Sequence, residues 1–212
     1  MKLPKWKMLI PVVAVAAASL AALDIAPAST PAAAASLVDD AHADLSPTDL
    51  AKLPLTDRNL NRRERGNLAA VLNAYHAAEG NSLDPAGFVN SFTKDGVFTS
   101  VVVNQSYRGE ALRNVVTSTA ALFPDVHRDL RSITVRGDTV SIQLHIQGTF
   151  KGPLQTPAGV VKPTGARVDF PTDDFFFLRN GKIQEFDCLI GLSAELSQMG
   201  VEFDWASAVG KG

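Results

Sequence analysis

Moving a proton to or from carbon needs a carboxylate in apolar surroundings, where loss of water raises its pKa toward neutrality. It also needs a donor for the oxygen that gains charge. Asp174 suits the first role: it alternates with Phe176 and Leu178 and so shares an otherwise apolar strand face. Tyr75, on an apolar helical stripe, is the candidate donor, its alternative being a core tyrosine with a satisfied hydroxyl. Other chemistries find less to work with. His42, His76, His127 and His145 are scattered and form no close ligand pair, so no metal is expected. Cys188 is the only cysteine, which excludes an intrachain disulfide and a thiolate zinc cluster. As a nucleophile it would need a base nearby, and it reads better as a small buried strand residue. There is no phosphate-binding glycine loop, nucleophile elbow or CxxC pair, and no cofactor is expected.

Several elements must position these groups. Asn61 can cap a helix with Glu64 closing a capping box, and Leu68, Val71, Leu72 and Tyr75 then fall on one face up to about Ala78. A second helix is expected from Asp84 or Pro85 to Phe92, then a turn at Lys94-Asp95-Gly96 and a strand over Val97–Val103. A third helix spans Glu110–Leu122 and ends at Pro124. The remainder reads as β: Leu130–Arg136, a strictly alternating Thr139–Phe150, a long loop over Lys151–Gly165, a strand that begins at Arg167–Phe170 and resumes at Asp174–Leu178, and a last strand over Lys182–Ile190 after the Asn180-Gly181 turn. On the alternating strand His145 lies with Ser141, Gln143 and Gln147 on the polar side, a place for surface or subunit contact. Leu192–Met199 reads as a short closing helix. Helices laid on a bent sheet leave a conical cavity.

The 212 residues carry 20 basic and 22 acidic side chains and are 46% hydrophobic, which suits one globular domain and argues against nucleic-acid binding by bulk charge. Lys2, Lys5 and Lys7 precede an apolar run from Met8 to Leu23, and small residues follow. This is the layout of a signal peptide over residues 1–28, with cleavage after Ala28 or as late as Ala35, and it predicts a secreted or periplasmic protein. The alternative is an uncleaved membrane anchor, for which the run is short. Residues 29–60 read as an extended arm with one short helix near Pro47–Leu53, residues 61–200 as the folded domain, and residues 201–212 as a tail.

From Leu68 to Gly200 the chain resembles the SnoaL-like polyketide cyclases of the nuclear transport factor two-like superfamily. The resemblance rests on an ordered series: Tyr75 before Gly-Asn-Ser-Leu-Asp, Phe92-Thr93-Lys94-Asp95-Gly96-Val97-Phe98, Tyr107-Arg108-Gly109-Glu110-Ala111-Leu112, Phe123-Pro124-Asp125, Gly148-Thr149-Phe150-Lys151-Gly152, Pro163-Thr164-Gly165-Ala166-Arg167-Val168 and Asn180-Gly181-Lys182-Ile183-Gln184-Glu185. It implies an α+β, cone-shaped, cystatin-like roll: three N-terminal helices on a strongly curved mixed or antiparallel sheet, often dimeric through the outer sheet face. It implies a small hydrophobic guest, polyketide- or steroid-like, in a cone lined by Phe88, Phe92, Phe98, Phe176 and Glu185. Because Phe175, Phe176 and Phe177 are consecutive, at least one must face outward.

The resemblance also carries a departure. Cyclases of this group have a Glu-x-Trp-x-x-x-Asp pattern whose final Asp is the acid/base. Here it starts at Glu185, has Asp187 at the Trp position and ends at Gly191. Asp187 shares strand parity with Gly191 and is the candidate for a relocated acid/base, with a solvated or salt-bridged strand carboxylate as its alternative. Asp95, at the expected mouth of the cone, resembles a carboxylate of ketosteroid isomerases, although it also suits turn capping. Three functions stay open: an exported binder of a hydrophobic molecule, an acid/base isomerase or cyclase, and a non-catalytic scaffold. A carboxylate in the cone with a Tyr or His donor at hydrogen-bond distance would point to the enzyme, an intact cone without such a pair to the binder, and a filled cone to the scaffold.

Overall fold

A computed structural model describes residues 45–156 and 159–201. The segment read as a signal peptide, the first part of the arm and the tail beyond residue 201 lie outside the described residues. Among the described residues there are five α-helices: α1 (Pro47–Lys52), α2 (Arg62–His76), α3 (Pro85–Asn90), α4 (Arg113–Leu122) and α5 (Leu192–Gln198). The expected third helix is split, with a 3-10 turn over Gly109–Leu112 leading into α4.

Six strands form one sheet: β1 (Phe92–Ser100), β2 (Gln105–Arg108), β3 (His127–Arg136), β4 (Thr139–Thr149), β7 (Arg167–Arg179) and β8 (Lys182–Ile190), in the order β2-β1-β8-β7-β4-β3. β1 and β8 run parallel and every other neighbouring pair is antiparallel, so the sheet is mixed. The expected long loop carries its own small hairpin, β5 (Leu154–Thr156) with β6 (Gly159–Val161).

Local chemistry explains the elements. Asn61 accepts a hydrogen bond from the Glu64 N–H while Glu64 accepts one from the Asn61 N–H, closing the capping box. The second Glu64 oxygen accepts from the Gly137 N–H and ties the start of α2 to the β3–β4 turn. α2 then buries Leu68, Val71, Ala74 and Tyr75 at helical spacing. β4 buries Val140, Ile142, Leu144 and Ile146 on one side, matching its alternation. Residues of the arm cover the free edge of β3: the Ile133 N–H donates to the Pro54 carbonyl and the Thr56 N–H to the Ile133 carbonyl.

Three places depart from simple alternation. Leu130 opposes Leu144 but Ser132 opposes Gln143, so Arg131 is an extra residue in β3. Leu178 opposes Ile183 and Phe177 opposes Glu185, so Gln184 is extra in β8. In β1 the register on β8 shifts between Phe92 and Val97, where a turn is expected from Lys94-Asp95-Gly96; the strand instead continues through an irregularity. Such bulges bend a sheet and change which residues face inward. Two further expectations give way. β7 does not break at Pro171. The Pro171 carbonyl accepts from the Gly191 N–H just beyond the end of β8, so the missing proline N–H faces that same side, where the ladder stops. β2 is unforeseen; it hairpins onto β1 through a turn with Asn104 at φ 52°.

Candidate active site

The cavity lies between α2, α4, α5 and the inner face of the sheet. Its volume is about 170 Å³ and it opens to solvent. An apolar cavity of about 150 Å³ holds a benzene-sized guest, so this one encloses one ring fully and leaves larger guests to extend through the mouth. Phe88, Phe98, Tyr107, Phe123, Phe170 and Phe186 supply aromatic wall.

Two polar side chains meet at its base. The Tyr75 hydroxyl, from α2, donates to Asp174 Oδ2, from the middle of β7, at 2.7 Å. Tyr75 is 5% exposed and Asp174 is 3% exposed. Asp174 Oδ1 has no hydrogen-bond partner among the described residues, and neither has Thr172 Oγ1 two positions earlier on the same buried face. A buried acceptor left alone is costly in a native core and marks a place where something else is bonded. Burial pushes the Asp174 carboxyl up to about 6, against the opposing pull of the Tyr75 hydroxyl, the Cys188 thiol and the Arg128 charge. Asp174 is therefore mostly ionised at neutral pH and is a stronger base than a solvated carboxylate. Burial, reinforced by the Asp174 charge and hydrogen bond, pushes Tyr75 well above the ordinary phenol range, so it keeps its proton and acts as a donor. Cys188 pairs with Asp174 across β7 and β8; burial and the Asp174 charge raise its thiol well above the usual range, leaving no thiolate nucleophile.

Arg128 steadies this pair. Its guanidinium carbon sits 5.5 Å from the Tyr75 ring centroid. Its Nη1 donates to the Ala78 carbonyl at 2.9 Å and to Glu79 Oε1 at 3.2 Å. His127 Nδ1 meets the other Glu79 oxygen at 2.8 Å. These contacts clamp the end of α2 to the start of β3 and fix where Tyr75 points.

The residues singled out in the sequence divide clearly. Tyr75 and Asp174 come together, and Phe88 and Phe98 line the cavity. Phe92 packs on Phe88 at 5.2 Å behind the wall. Phe176 is fully buried between Tyr75 and Phe186, with centroids 5.6 Å and 4.0 Å away, and is core rather than lining. Asp187 corrects the expectation that it projects into the cone. It lies opposite Phe175 of β7 and Thr99 of β1, between the inward-facing Phe186 and Cys188, and so faces outward. Glu185 has the same parity and is exposed on the outer face. Asp95 is exposed and pairs with Arg179 at 2.7 Å. Hydrogen bonds from its own backbone and from Thr93, with the Arg179 charge adding less, hold its carboxyl below the usual range. It braces the sheet edge and does not line the cavity.

Two charged lining residues, Arg128 and Glu195, are not among the sequence candidates. Arg128 comes just before the expected start of β3, and the extra Arg131 puts it out of phase with the buried Ile133 and Val135. Glu195 left a signal: it falls between Leu192, Leu196 and Met199, a carboxylate in the apolar stripe of the closing helix. Among the described residues no cluster of three or more His, Cys, Asp or Glu side chains could hold a metal ion, and no helix is long and apolar enough to cross a membrane.

Fold and site together define a class: helices over a curved mixed sheet, with an acid–phenol pair at the base of an apolar cone. Residues 69–199, more than half of the chain, match the family model described as SnoaL-like polyketide cyclase, and the chain belongs to that family. Solved structures share the fold. A protein from Jannaschia sp. CCS1, assigned to the SnoaL-like polyketide cyclases, is 23% identical with a TM-score of 0.57, the match covering 68% of this chain and 99% of that one. A protein from Bacillus cereus ATCC 10987, assigned as a polyketide cyclase, is 19% identical with a TM-score of 0.57, covering 72% and 94%. AclR from Streptomyces galilaeus, assigned as a hydroxylase, is 21% identical with a TM-score of 0.55, covering 66% and 89%. No match was found among curated proteins.

Proposed function

We propose that this protein takes a small, largely apolar cyclic molecule into its cavity and moves a proton on it, with Asp174 as the base. One observation carries the reading: a buried carboxylate, fixed through one oxygen by Tyr75 at 2.7 Å, whose other oxygen is unpartnered in the described structure. A carboxylate with its pKa near 6 in an aromatic-walled site fits abstraction of an acidified C–H next to a carbonyl. The cavity volume suits one ring inside, with any further rings of a polyketide- or steroid-like guest at the mouth. A cavity of this size also argues against a scaffold role, which would be served by a filled cone.

The test is proton–deuterium exchange, followed by NMR in D2O, on a panel of cyclic ketones of one to three rings, 2-tetralone among them. The full chain accelerates α-exchange of at least one ketone, and Asp174→Asn abolishes the acceleration. Tyr75→Phe leaves it reduced and moves its pH midpoint upward, because Asp174 loses a donor that favours its ionised form. Ketones that bind yet exchange no faster than in buffer would establish the second reading, binding without chemistry. That reading is favoured by Gly191, which stands where the family pattern has its acid.

We propose also that the chain is exported, on the strength of Lys2, Lys5 and Lys7, the apolar run to Leu23 and the small residues up to Ala35. A homodimer through the outer sheet face is supported by Phe175, Phe177 and Leu189, which are 38%, 41% and 37% exposed there.

A further inference from the structure

The proton-transfer reading has one further requirement, a group that can hand a proton to oxygen. When carbon gives up its proton, the carbonyl oxygen gains charge and needs a donor. The Tyr75 hydroxyl has a single proton, and that proton is bonded to Asp174. Arg128 Nη1 is engaged by the Ala78 carbonyl and by Glu79. The Thr119 hydroxyl donates to the Val115 carbonyl. Cys188 offers only a weak S–H donor, and Ser100, Gln105, Tyr107, Asn114 and Ser118, which also line the cavity, can offer a hydrogen bond but do not give up a proton near neutral pH.

Glu195 is different. It lines the cavity from α5, on the same helix face as Leu192 and Leu196. Its carboxyl has no hydrogen-bond or ion-pair partner among the described residues. A half-buried carboxylate in an apolar stripe, facing a cavity and without a protein partner among the described residues, is free to engage a guest.

We propose that Glu195 is the second proton-handling group of this site, a carboxylic acid that donates to the carbonyl oxygen of a cyclic ketone while Asp174 takes the proton from its α-carbon. This deepens the proton-transfer reading and rests on it. The C–H bond breaks and its proton passes to Asp174. The bonding pair becomes the new C=C bond, the carbonyl π pair moves to oxygen, and that oxygen forms its O–H bond with the Glu195 proton. Asp174 is then neutral and Glu195 a carboxylate. In the return step Glu195 recovers its proton from the enol, and Asp174 delivers its own to carbon. Nothing is oxidised or reduced, and no co-reactant is consumed.

The surroundings favour this division of labour. Burial pushes the Glu195 carboxyl up to about 7, above Asp174 at about 6, so near neutral pH the acid and the base coexist. The titratable and charged groups facing the cavity beside it are Asp174 on β7, Cys188 on β8, Tyr75 on α2, Tyr107 on β2 and Arg128 on β3, with Glu79 and His127 behind Arg128. Burial keeps both phenols and the thiol protonated well above neutrality, and the Arg128 charge is already matched by Glu79. Asp174 and Glu195 are therefore the pair that can exchange roles near neutral pH.

The test uses the full chain with ¹³C-labelled glutamate carboxyls, the Glu195 signal being identified by its loss in Glu195→Gln. The probe is 2,2-dimethyl-1-indanone, a bicyclic ketone with no α-hydrogen, whose carbonyl oxygen can accept but not donate. Glu195 titrates near neutrality in the free protein. Saturating ketone raises that midpoint by about one pH unit, because a protonated carboxyl that donates to the carbonyl binds it better than a carboxylate does. Glu195→Gln retains a donor, binds the ketone within about threefold of the parent and loses the pH dependence; Glu195→Leu binds about tenfold more weakly below neutrality, the size of one lost hydrogen bond. A midpoint that stays or falls, or a ketone that does not bind, overturns the assignment. So does a midpoint that falls with benzylamine and does not rise with the ketone, which would make Glu195 a counter-ion for a cationic guest. The two readings fail separately: exchange of ketones without the Glu195 shift removes Glu195 from the mechanism, whereas the shift without exchange leaves Glu195 as a binding donor and removes the chemistry.

Discussion

Asp174→Asn separates what this carboxylate does for function from what it costs the fold. In the native protein the carboxyl titrates at about 6, against 3.8 for a solvated aspartate, because burial penalises its charge. That difference corresponds to about 3 kcal/mol of destabilisation once the group is ionised, at about 1.4 kcal/mol per tenfold. Between 3.8 and about 6 the native state still holds a proton that the unfolded chain has released, so stability falls as pH rises through that window and is flat above it. Asparagine removes the titration. Its amide nitrogen inherits the position with no partner, at a cost of about 1–3 kcal/mol that does not depend on pH. The informative quantity is thus the stability of Asp174→Asn minus that of the parent, from urea unfolding of the full chain at a series of pH values. It rises by about 2–3 kcal/mol from about pH 4 to pH 8. Glu195 is present in both chains and largely cancels. Two stability curves that stay parallel over this range would show that Asp174 is not ionised inside an apolar site, and the base assigned above would go with it.

Two further outcomes follow from the sequence and the surface. Mass spectrometry of the protein recovered from its native host gives an N-terminus at Ser29 or Ser36; an intact Met1 on a membrane-bound product would instead make residues 8–23 an anchor. Replacing Phe175 and Phe177 together by serine turns a dimer into a monomer in sedimentation while leaving thermal stability close to that of the parent, since both rings are about two-fifths exposed on the outer face; a parent chain that is already monomeric at micromolar concentration refutes the dimer.

Much of the fold was legible because strong local signals agreed with the tertiary structure. The Asn61–Glu64 box, the Asn180-Gly181 turn and the alternation of β4 each specify an element through groups close in sequence. Asp174 was legible for the same reason: β7 keeps an unbroken two-residue period from Val168 to Leu178, so its parity can be counted directly. Where that period breaks, counting fails. Gln184 is an extra residue in β8, so Ile183 and Phe186, three apart, both face inward. Arg131 does the same in β3 for Arg128 and Ile133. Asp187 is an instructive case. It shares parity with Glu185, and the resemblance points that parity inward; the buried Phe186 and Cys188 on either side of it occupy the inner face instead. Glu195 needs no long-range information: it falls in the apolar stripe of α5, but nothing local shows that this stripe faces a cavity.

The cavity exists because small side chains stand where the core would otherwise close. α2 turns Tyr75 toward β7, and three residues later Ala78 gives the lining no bulk. Ser100 on β1, Ser118 on α4 and Cys188 on β8 do the same from the other walls. Phe88, Phe123 and Phe176, all fully buried, pack firmly around that space, so it is held open by a rigid shell. The buried side-chain polar atoms without partners among the described residues, Asp174 Oδ1 and Thr172 Oγ1, sit on β7, where Asp174 lines the cavity. A chain selected for stability alone could fill the space and replace Asp174 with an apolar side chain. The cost of a buried charge and an unfilled cavity falls on one site, and a guest with a polar atom to offer Asp174 relieves both.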